Sequence, residues 1–347
     1  MTTSHKKTCI ISLFVALACF SLASFARAQF SAPGTGSKLD LKVEPQNPKP
    51  YVTVHFIAES FSTDLNKATL DWYVNGKLIK SGKGVKEFDT TVGKLGTKTE
   101  VRLSAKTEIG TLGAKVLLQP AQVDLVWQAN SFTPPFYKGR ALPTHKSGVT
   151  VIAIPTLITA TGARLDPSDL LYTWKENGTV QGNKSGRGRS SYVVHEISIM
   201  RDSALVEVSV AAPSGTLQAS GAVGVRPETP KIVLYEHDPL EGIKYNKALI
   251  GTYPLVNEEV TLESMPYFFG TLDREGSDIL YNWSLNGVKV ENDASRQGSL
   301  TLRQTGESGF ATLTLNVNHR KNLLESVSER LSLEFGGMNT GGFAPTP

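Results

Sequence analysis

Cysteine is almost missing from this chain. Among 347 residues there are two, Cys9 and Cys19, and both fall in a segment that reads as an export signal. Lys6 and Lys7 make a positive start, Ile10 to Phe25 an apolar stretch, and Ala26-Arg27-Ala28 a small-residue cleavage site before Gln29. The stretch Cys9–Phe25, 17 residues, lies at the short end of what spans a bilayer, so residues 1–28 are read as removed and not retained as an anchor. Cys19 also lacks the leucine three residues upstream that marks lipidation. Cleavage leaves a mature chain without cysteine, which excludes thiol nucleophiles, cysteine-bound metals, redox pairs and disulfides. The chain is expected outside the cytoplasm, secreted or associated with a cell surface, with no membrane span after cleavage.

An excess of one charge is missing too. The 36 Lys+Arg against 32 Asp+Glu suggest mild basicity, with pI near 8.9. Removing Lys6, Lys7 and Arg27 with the signal leaves 33 against 32, a net charge of +1. The basic balance belongs to export and argues against a nucleic-acid partner. With 40% apolar and 20% charged residues, neither wholesale disorder nor a multi-span membrane protein fits.

What is present is a repeat. Leu70-Asp71-Trp72-Tyr73-Val74-Asn75-Gly76, Tyr172-Thr173-Trp174-Lys175-Glu176-Asn177-Gly178 and Tyr281-Asn282-Trp283-Ser284-Leu285-Asn286-Gly287 share one pattern: a large residue, a spacer, Trp, two spacers, Asn-Gly. The tryptophans are 102 and 109 residues apart, which sets the period and the number of copies. Each string predicts a strand with Trp facing the core, closed by a hairpin turn in which Asn-Gly accepts positive φ. About 30 residues later each copy has an alternating partner strand: Val101, Leu103, Ala105; Val206, Val208, Val210; Leu313, Leu315, Val317. Trp72, Trp174 and Trp283 are therefore core residues, and Asn75, Gly76, Asn177, Gly178, Asn286 and Gly287 are turn residues.

A central Trp with a partner strand at this spacing resembles the immunoglobulin-like β-sandwich. Glu307-Ser308-Gly309-Phe310-Ala311, and less closely Asp202-Ser203-Ala204, resemble the turn that opens its sixth strand. The antibody cysteine pair is replaced by aliphatics such as Val208 and Leu313. The aspartate-rich turn of the related PKD-like domains is replaced by Asn-Gly. The end-to-end pattern, with Thr133-Pro134-Pro135-Phe136-Tyr137-Lys138-Gly139, is also similar to secreted proteins of candidate-phyla bacteria, some encoded near type IV pilus genes; it implies no activity and no site residues.

The expected fold class is all-β: a tandem array of three Ig-like sandwiches at 37–121, 122–229 and 230–335. A signal at 1–28 and a linker at 29–36 precede them, and a Gly-rich tail at 336–347 follows, read as disordered. The second and third copies align most closely. Trp127 matches Tyr235 in the opening strands, Phe136–Leu142 matches Lys244–Leu249, and Pro155 matches Pro266, each trailed by bulky residues. Only Asn318–Arg330 carries enough helix-forming residues to suggest a helical turn.

Catalytic patterns are lacking. His55, His145, His195, His237 and His319 are scattered singly. His195-Glu196 begins like a zinc-protease helix, but Ile199 stands where the second His belongs, so His195 reads as a strand residue. Gly306-Glu307-Ser308-Gly309 lacks the spacing of a nucleophile elbow, and no phosphate-binding glycine loop occurs. The chain is read as non-enzymatic, with no cofactor. Calcium at domain joints is weighed through Glu236, Asp238 and Glu241 and through Asp273, Glu275 and Asp278. Neither set has the regular spacing of a calcium loop, and solvated turn acids are preferred.

One loop, Asn183 to Ser191, concentrates Lys184, Arg187 and Arg189 among Gly and Ser. It is a candidate anion- or polymer-binding loop, weighed against a mobile hairpin tip. Aromatic clusters around Phe132, Phe136 and Tyr137, and around Tyr267, Phe268 and Phe269, invite a sugar-binding reading. Their recurrence in two copies favours packing of a strand or joint. The function expected is structural and adhesive: a rod of modules presenting loops. Alternatives are an accessory component of a type IV pilus or other envelope machine, or a cell-wall or carbohydrate binder; the partners would be envelope or pilus proteins or surface polymers.

Overall fold

Alternating apolar residues and Asn-Gly turns build three two-sheet sandwiches in tandem. The computed structural model describes residues 38–292, 295–304 and 308–336. The signal with its cleavage residues Ala26 and Ala28, the linker at 29–36, Gly306, Glu307 and the tail beyond Gly336 lie outside the described residues. Each sandwich closes over its own apolar cluster.

In the first sandwich the strands are β1 (Leu39–Glu44), β2 (Thr53–Ser60), β3 (Thr69–Val74), β4 (Lys77–Lys83), β5 (Glu87–Thr91), β6 (Thr99–Thr107) and β7 (Gly110–Leu118). They form sheets β1-β2-β5 and β4-β3-β6-β7. Period-2 alternation sends Val54, Phe56 and Ala58 of β2 inward to meet Leu70, Trp72, Val101 and Leu103 from the facing sheet. Trp72 stacks on Phe88 with ring centroids 5.2 Å apart.

The second sandwich repeats this order: β8 (Gln122–Ala129), β9 (Val149–Thr156), β10 (Leu171–Glu176), β11 (Thr179–Val180), β12 (Gly186–Arg187), β13 (Ser191–Val194), β14 (Ala204–Ala211) and β15 (Gln218–Val225). Its sheets are β13-β9-β8 and β11-β10-β14-β15, with β12 also on β10. Trp174 stacks on Tyr192 at 5.6 Å.

The third is larger: β16 (Lys231–Asp238), β17 (Gly242–Leu249), β18 (Thr252–Leu255), β19 (Glu259–Tyr267), β20 (Ile279–Leu285), β21 (Val288–Lys289), β22 (Ser299–Arg303), β23 (Gly309–His319) and β24 (Asn322–Phe335). Strand β17 extends the first sheet to β17-β16-β19-β22. Strand β18 joins the second, β18-β24-β23-β20-β21, running parallel to β24.

The repeated string has a shared geometry. Asn75, Asn177 and Asn286 have φ of 48°, 50° and 50°, and the glycines after them 81°, 82° and 81°, as a tight hairpin turn of the primed kind demands. Each asparagine also staples the turn to a third strand. Its backbone N–H donates to the carbonyl of Glu100, Leu205 or Thr312 at 2.8–2.9 Å. Its Oδ1 accepts the N–H of the same residue at 2.9, 3.0 and 2.8 Å. Each Trp is closed off in a matching way, its indole N–H donating to the carbonyl of Val85, Arg189 or Gln297 at 2.8–3.0 Å. Burial of the ring thus leaves no indole donor unpaired.

Three expectations are corrected. Asn318–Arg330 is not helical: β23 and β24 pair continuously from Gly309↔Phe335 to Asn318↔Ser326. Cross-strand pairing and the alternation of Leu331 and Leu333 toward the core override local propensity there. Residues 136–142 do not mirror 244–249. The latter lie in β17, while the former contain no strand, because Pro134 and Pro135 offer no N–H and Phe136 turns the chain at φ 65°. The match of Trp127 to Tyr235 also fails in register. Val123 pairs with Pro155 and Ile232 with Pro266, so Trp127 lies four residues from its reference and Tyr235 three. That slip sends Trp127 toward its core and Tyr235 to the outer face of β16.

Candidate functional site

The basic loop is ordered by its own bonds. Gly188, at φ 68°, donates its N–H to Leu170 at 2.9 Å, and the Ser185 hydroxyl donates to the Gln181 carbonyl at 2.8 Å. The Arg189 carbonyl is the acceptor that closes Trp174. Lys184, Arg187 and Arg189 are exposed, but Arg187 pairs with Asp169 at 2.6 Å. The loop is a crossover between sheets, not the hairpin tip the sequence suggests, and one of its three charges is matched locally.

The acidic sets are engaged as well. Glu236 and Asp238 share the Lys244 ammonium at 2.9 and 3.2 Å, and Asp238 accepts the N–H groups of Leu240 and Glu241. Asp238 is held below the usual carboxylate range first by those backbone bonds and then by Lys244. Glu275 pairs with Arg274, and Asp278 with Lys321 at 2.8 Å. Among the described residues no cluster of His, Cys, Asp and Glu is placed to hold a metal ion. The histidines stay apart. His55 meets Asp89 at 2.6 Å on an exposed strand pair, and His195 stands one residue beyond β13, exposed, and not in a strand.

Three places that sequence reasoning missed carry more chemistry. The first is Glu263 on β19, which has no exposure. His237 Nδ1 lies 3.0 Å from it, Arg274 donates at 2.9 Å, and Arg296 stands at 3.6 Å. Burial raises its pKa, but the charge and hydrogen bond of Arg274 and the contact from His237 outweigh that and leave it below the ordinary range. An acid held ionised in this way staples Arg274 to the sheet; it is no proton donor at neutral pH.

The second is the joint between the second and third sandwiches. Phe132 donates its N–H to Phe269 at 2.9 Å and accepts from Phe268 at 2.8 Å, a two-bond bridge between modules. Glu325 of β24, 1% exposed, accepts the Gly270 N–H at 2.9 Å and the Thr144 hydroxyl. A Cβ on Gly270 would come within 3.0 Å of that carboxylate. Beside this seal, Tyr137 packs edge-on to Tyr267 and Phe268 at 5.9 Å, and Phe136 to Tyr245 at 6.0 Å. The two aromatic clusters read from sequence are the two halves of one joint.

The third is the joint between the first and second sandwiches, which is open. Gln119 Nε2 donates to Ile158 at 3.0 Å and Ala121 donates to Pro48 at 3.4 Å. Beside them lies a cleft of about 1370 Å³, lined by residues 49–52, 94–98, Gln122 and 158–162. No short sequence window could reveal it, since its lysines sit on two loops 45 residues apart. The signal available was Tyr51, a bulky residue that holds φ 60° and is 70% exposed.

Strand order and register define an all-β chain built as a tandem array of Ig-like sandwiches, each with the Trp strand in the larger sheet or its equivalent. No protein-family profile and no curated protein match the sequence. Among solved structures, the three N-terminal domains of the bacteriophage RB49 highly immunogenic outer capsid protein are similar at 11% identity and TM-score 0.26, covering 86% of this chain and 99% of that one. The central fibronectin-III array of RIM-binding protein is similar at 13% and 0.27, covering 85% and 96%. Clostridium thermocellum CbhA fibronectin(III)-like modules are similar at 12% and 0.26, covering 55% and 94%. The fold assignment rests on the strand pairing above and not on these scores. No helix among the described residues is long and apolar enough to cross a membrane.

Proposed function

We propose that the chain is an exported, non-catalytic module array, displayed on or released from a bacterial surface, that holds contact surfaces at fixed spacing. The observation that carries this reading is the sealed joint around Glu325. A buried carboxylate bonded across two modules, with a backbone bridge beside it, makes the second and third sandwiches one stiff body. Inter-module interfaces are otherwise polar and mobile by default. Stiffness at a joint serves spacing and presentation and adds nothing to turnover. Export supplies the compartment, through the signal at 1–28.

The test is fractionation of cells expressing the tagged full chain, with mass spectrometry of its N-terminus. The expected result is a chain beginning at Gln29 in the envelope or medium. Retention of unprocessed chain in the cytoplasm would overturn the reading.

A further inference from the structure

Two lysine-bearing loops and a hairpin wall converge at the open joint, and their chemistry is one-sided. Lys49, Lys94 and Lys98 line the cleft together with no aspartate or glutamate. None of the three ammonium groups has an ion pair or side-chain hydrogen bond to another described residue. The acids nearest in sequence to the lining are already engaged, Asp124 by the Gln122 amide at 2.9 and 3.0 Å and Glu100 by Lys115 at 2.6 Å. Other exposed cations have an acid within reach, as with Arg187 and Asp169, Lys106 and Asp71, or Lys321 and Asp278, whereas this lining offers its three lysines none. Three unmatched like charges in one concavity repel each other, and an anion relieves that repulsion.

The walls are built and not slack. Tyr51 donates its N–H to Gly93 at 3.3 Å, tying the two loops of the first sandwich together. Thr97 closes the lysine loop through its hydroxyl, 2.7 Å from the Lys94 carbonyl. The opposite wall is a hairpin held by Thr159 to Ala163 at 2.8 Å and Leu165 to Leu157 at 3.0 Å. Gly96, at φ 79°, lies so close to Ile158 that a Cβ would meet its Cγ2 at 2.9 Å.

We infer that this cleft binds an acidic polysaccharide. Lysine presents a compact charge on a flexible stem, suited to carboxylates at variable positions and not to one bidentate geometry. Thr97, Thr159 and Thr161 line the same space; their hydroxyls are bonded within the walls, and each oxygen keeps acceptor capacity for a sugar hydroxyl, while Tyr51 adds an exposed aromatic residue to the lining. The volume exceeds that of a typical small-molecule pocket and suits a segment of chain. A nucleic acid fits less well, because stacking needs successive aromatics and this lining has one. The inference extends the display reading, yet it is tested on purified protein and stands or falls separately from where cells place the chain.

The experiment is calorimetric titration of the exported chain with polygalacturonate oligomers at several salt concentrations, beside neutral dextran and single-stranded DNA of matched length. Expected is binding to polygalacturonate alone that weakens steeply with salt. The triple variant K49Q/K94Q/K98Q should lose at least about tenfold in affinity and flatten the salt dependence. The variant K184Q/R187Q/R189Q should stay within about twofold of wild type on the same screening argument. Y51A should weaken polygalacturonate further, while each variant keeps the wild-type melting profile. Absence of binding, unchanged affinity in the lysine variant, equal binding of dextran, or tighter binding of DNA would each overturn the assignment.

Discussion

The two joints of this molecule join modules of one fold by opposite means. Between the second and third sandwiches, chain that would otherwise form a strand, residues 130–148, is left irregular and pressed onto the neighbour, where Thr144 and Phe132 bond across the boundary. Between the first and second, the connection from β7 to β8 is short, and beside it stand one side-chain bond, one long backbone bond and the close approach of Gly96 to Ile158. The difference teaches where stiffness comes from in such an array. It comes from what the loops between the first two strands do, since the sandwiches themselves repeat.

Core disruption should show the contrast most strongly. Trp283→Ala removes a buried ring at a cost of about 3–5 kcal/mol. Because the joint is sealed, calorimetry should show the transition of the second sandwich moving with that of the third. Trp72→Ala should cost a similar amount yet leave the other transition in place. If the second sandwich melts independently in Trp283→Ala, the sealed joint does not couple the modules.

Glu325→Ala comes next. It strands the Gly270 N–H and the Thr144 hydroxyl in a buried site, at about 1–3 kcal/mol. Nitrogen relaxation should then report separate tumbling of the two modules, whereas Gln119→Ala at the open joint should change neither stability nor tumbling detectably. Backbone-space substitutions sharpen the comparison further. Gly270→Ala should cost about 1–3 kcal/mol by crowding a fixed carboxylate. Gly96→Ala meets the Ile158 Cγ2 at 2.9 Å and the fixed Thr159 carbonyl oxygen at 3.2 Å, so crowding should add to a left-handed strain of about 1–2 kcal/mol and make it the costlier of the two. Equal denaturation midpoints for the two variants would contradict the difference in packing.

The smallest effect is a pH response of the third sandwich that runs through Glu263. Glu263 has a folded pKa below its unfolded value, so its contribution is present above the unfolded pKa of about 4.3 and lost as pH falls through the folded value. Urea midpoints should fall on acidification below that range, and Arg274→Gln should flatten the response. An unchanged slope in that variant would show that the acid dependence arises elsewhere.

Much of the fold was legible because its determinants are local. Trp72, Trp174 and Trp283 announce a core strand, and each Asn-Gly announces its turn by a backbone requirement that travels with the dipeptide. The staple from asparagine to a third strand was not legible, since its partners Glu100, Leu205 and Thr312 lie 25–28 residues away and use backbone groups. The joints were hidden for a similar reason. Glu325 sits in a stretch that reads as solvated and helical, and only the fold of two modules buries it. The clusters at Phe132, Phe136 and Tyr137 and at Tyr267, Phe268 and Phe269 look like copies of one feature in sequence; in space they meet across one boundary, with Tyr137 edge-on to Tyr267 and Phe268. Charge clustering along the chain pointed to Lys184, Arg187 and Arg189, whereas clustering in space favours Lys49, Lys94 and Lys98.

The parallel pairing of β18 with β24 has a mechanical consequence. It places the third strand of the third sandwich, which follows β16 and β17, beside the strand at its exit, bonded along Thr252↔Ser332 to Leu255↔Phe335. Once tension has drawn β16 and β17 away, it pulls these neighbours past each other along their length, so the rungs between them bear load together and do not break in succession. A chain anchored at one end and bound at the other would therefore meet its strongest resistance to extension in the third module, while the first, whose described residues pair through antiparallel strands, would be the earlier to give.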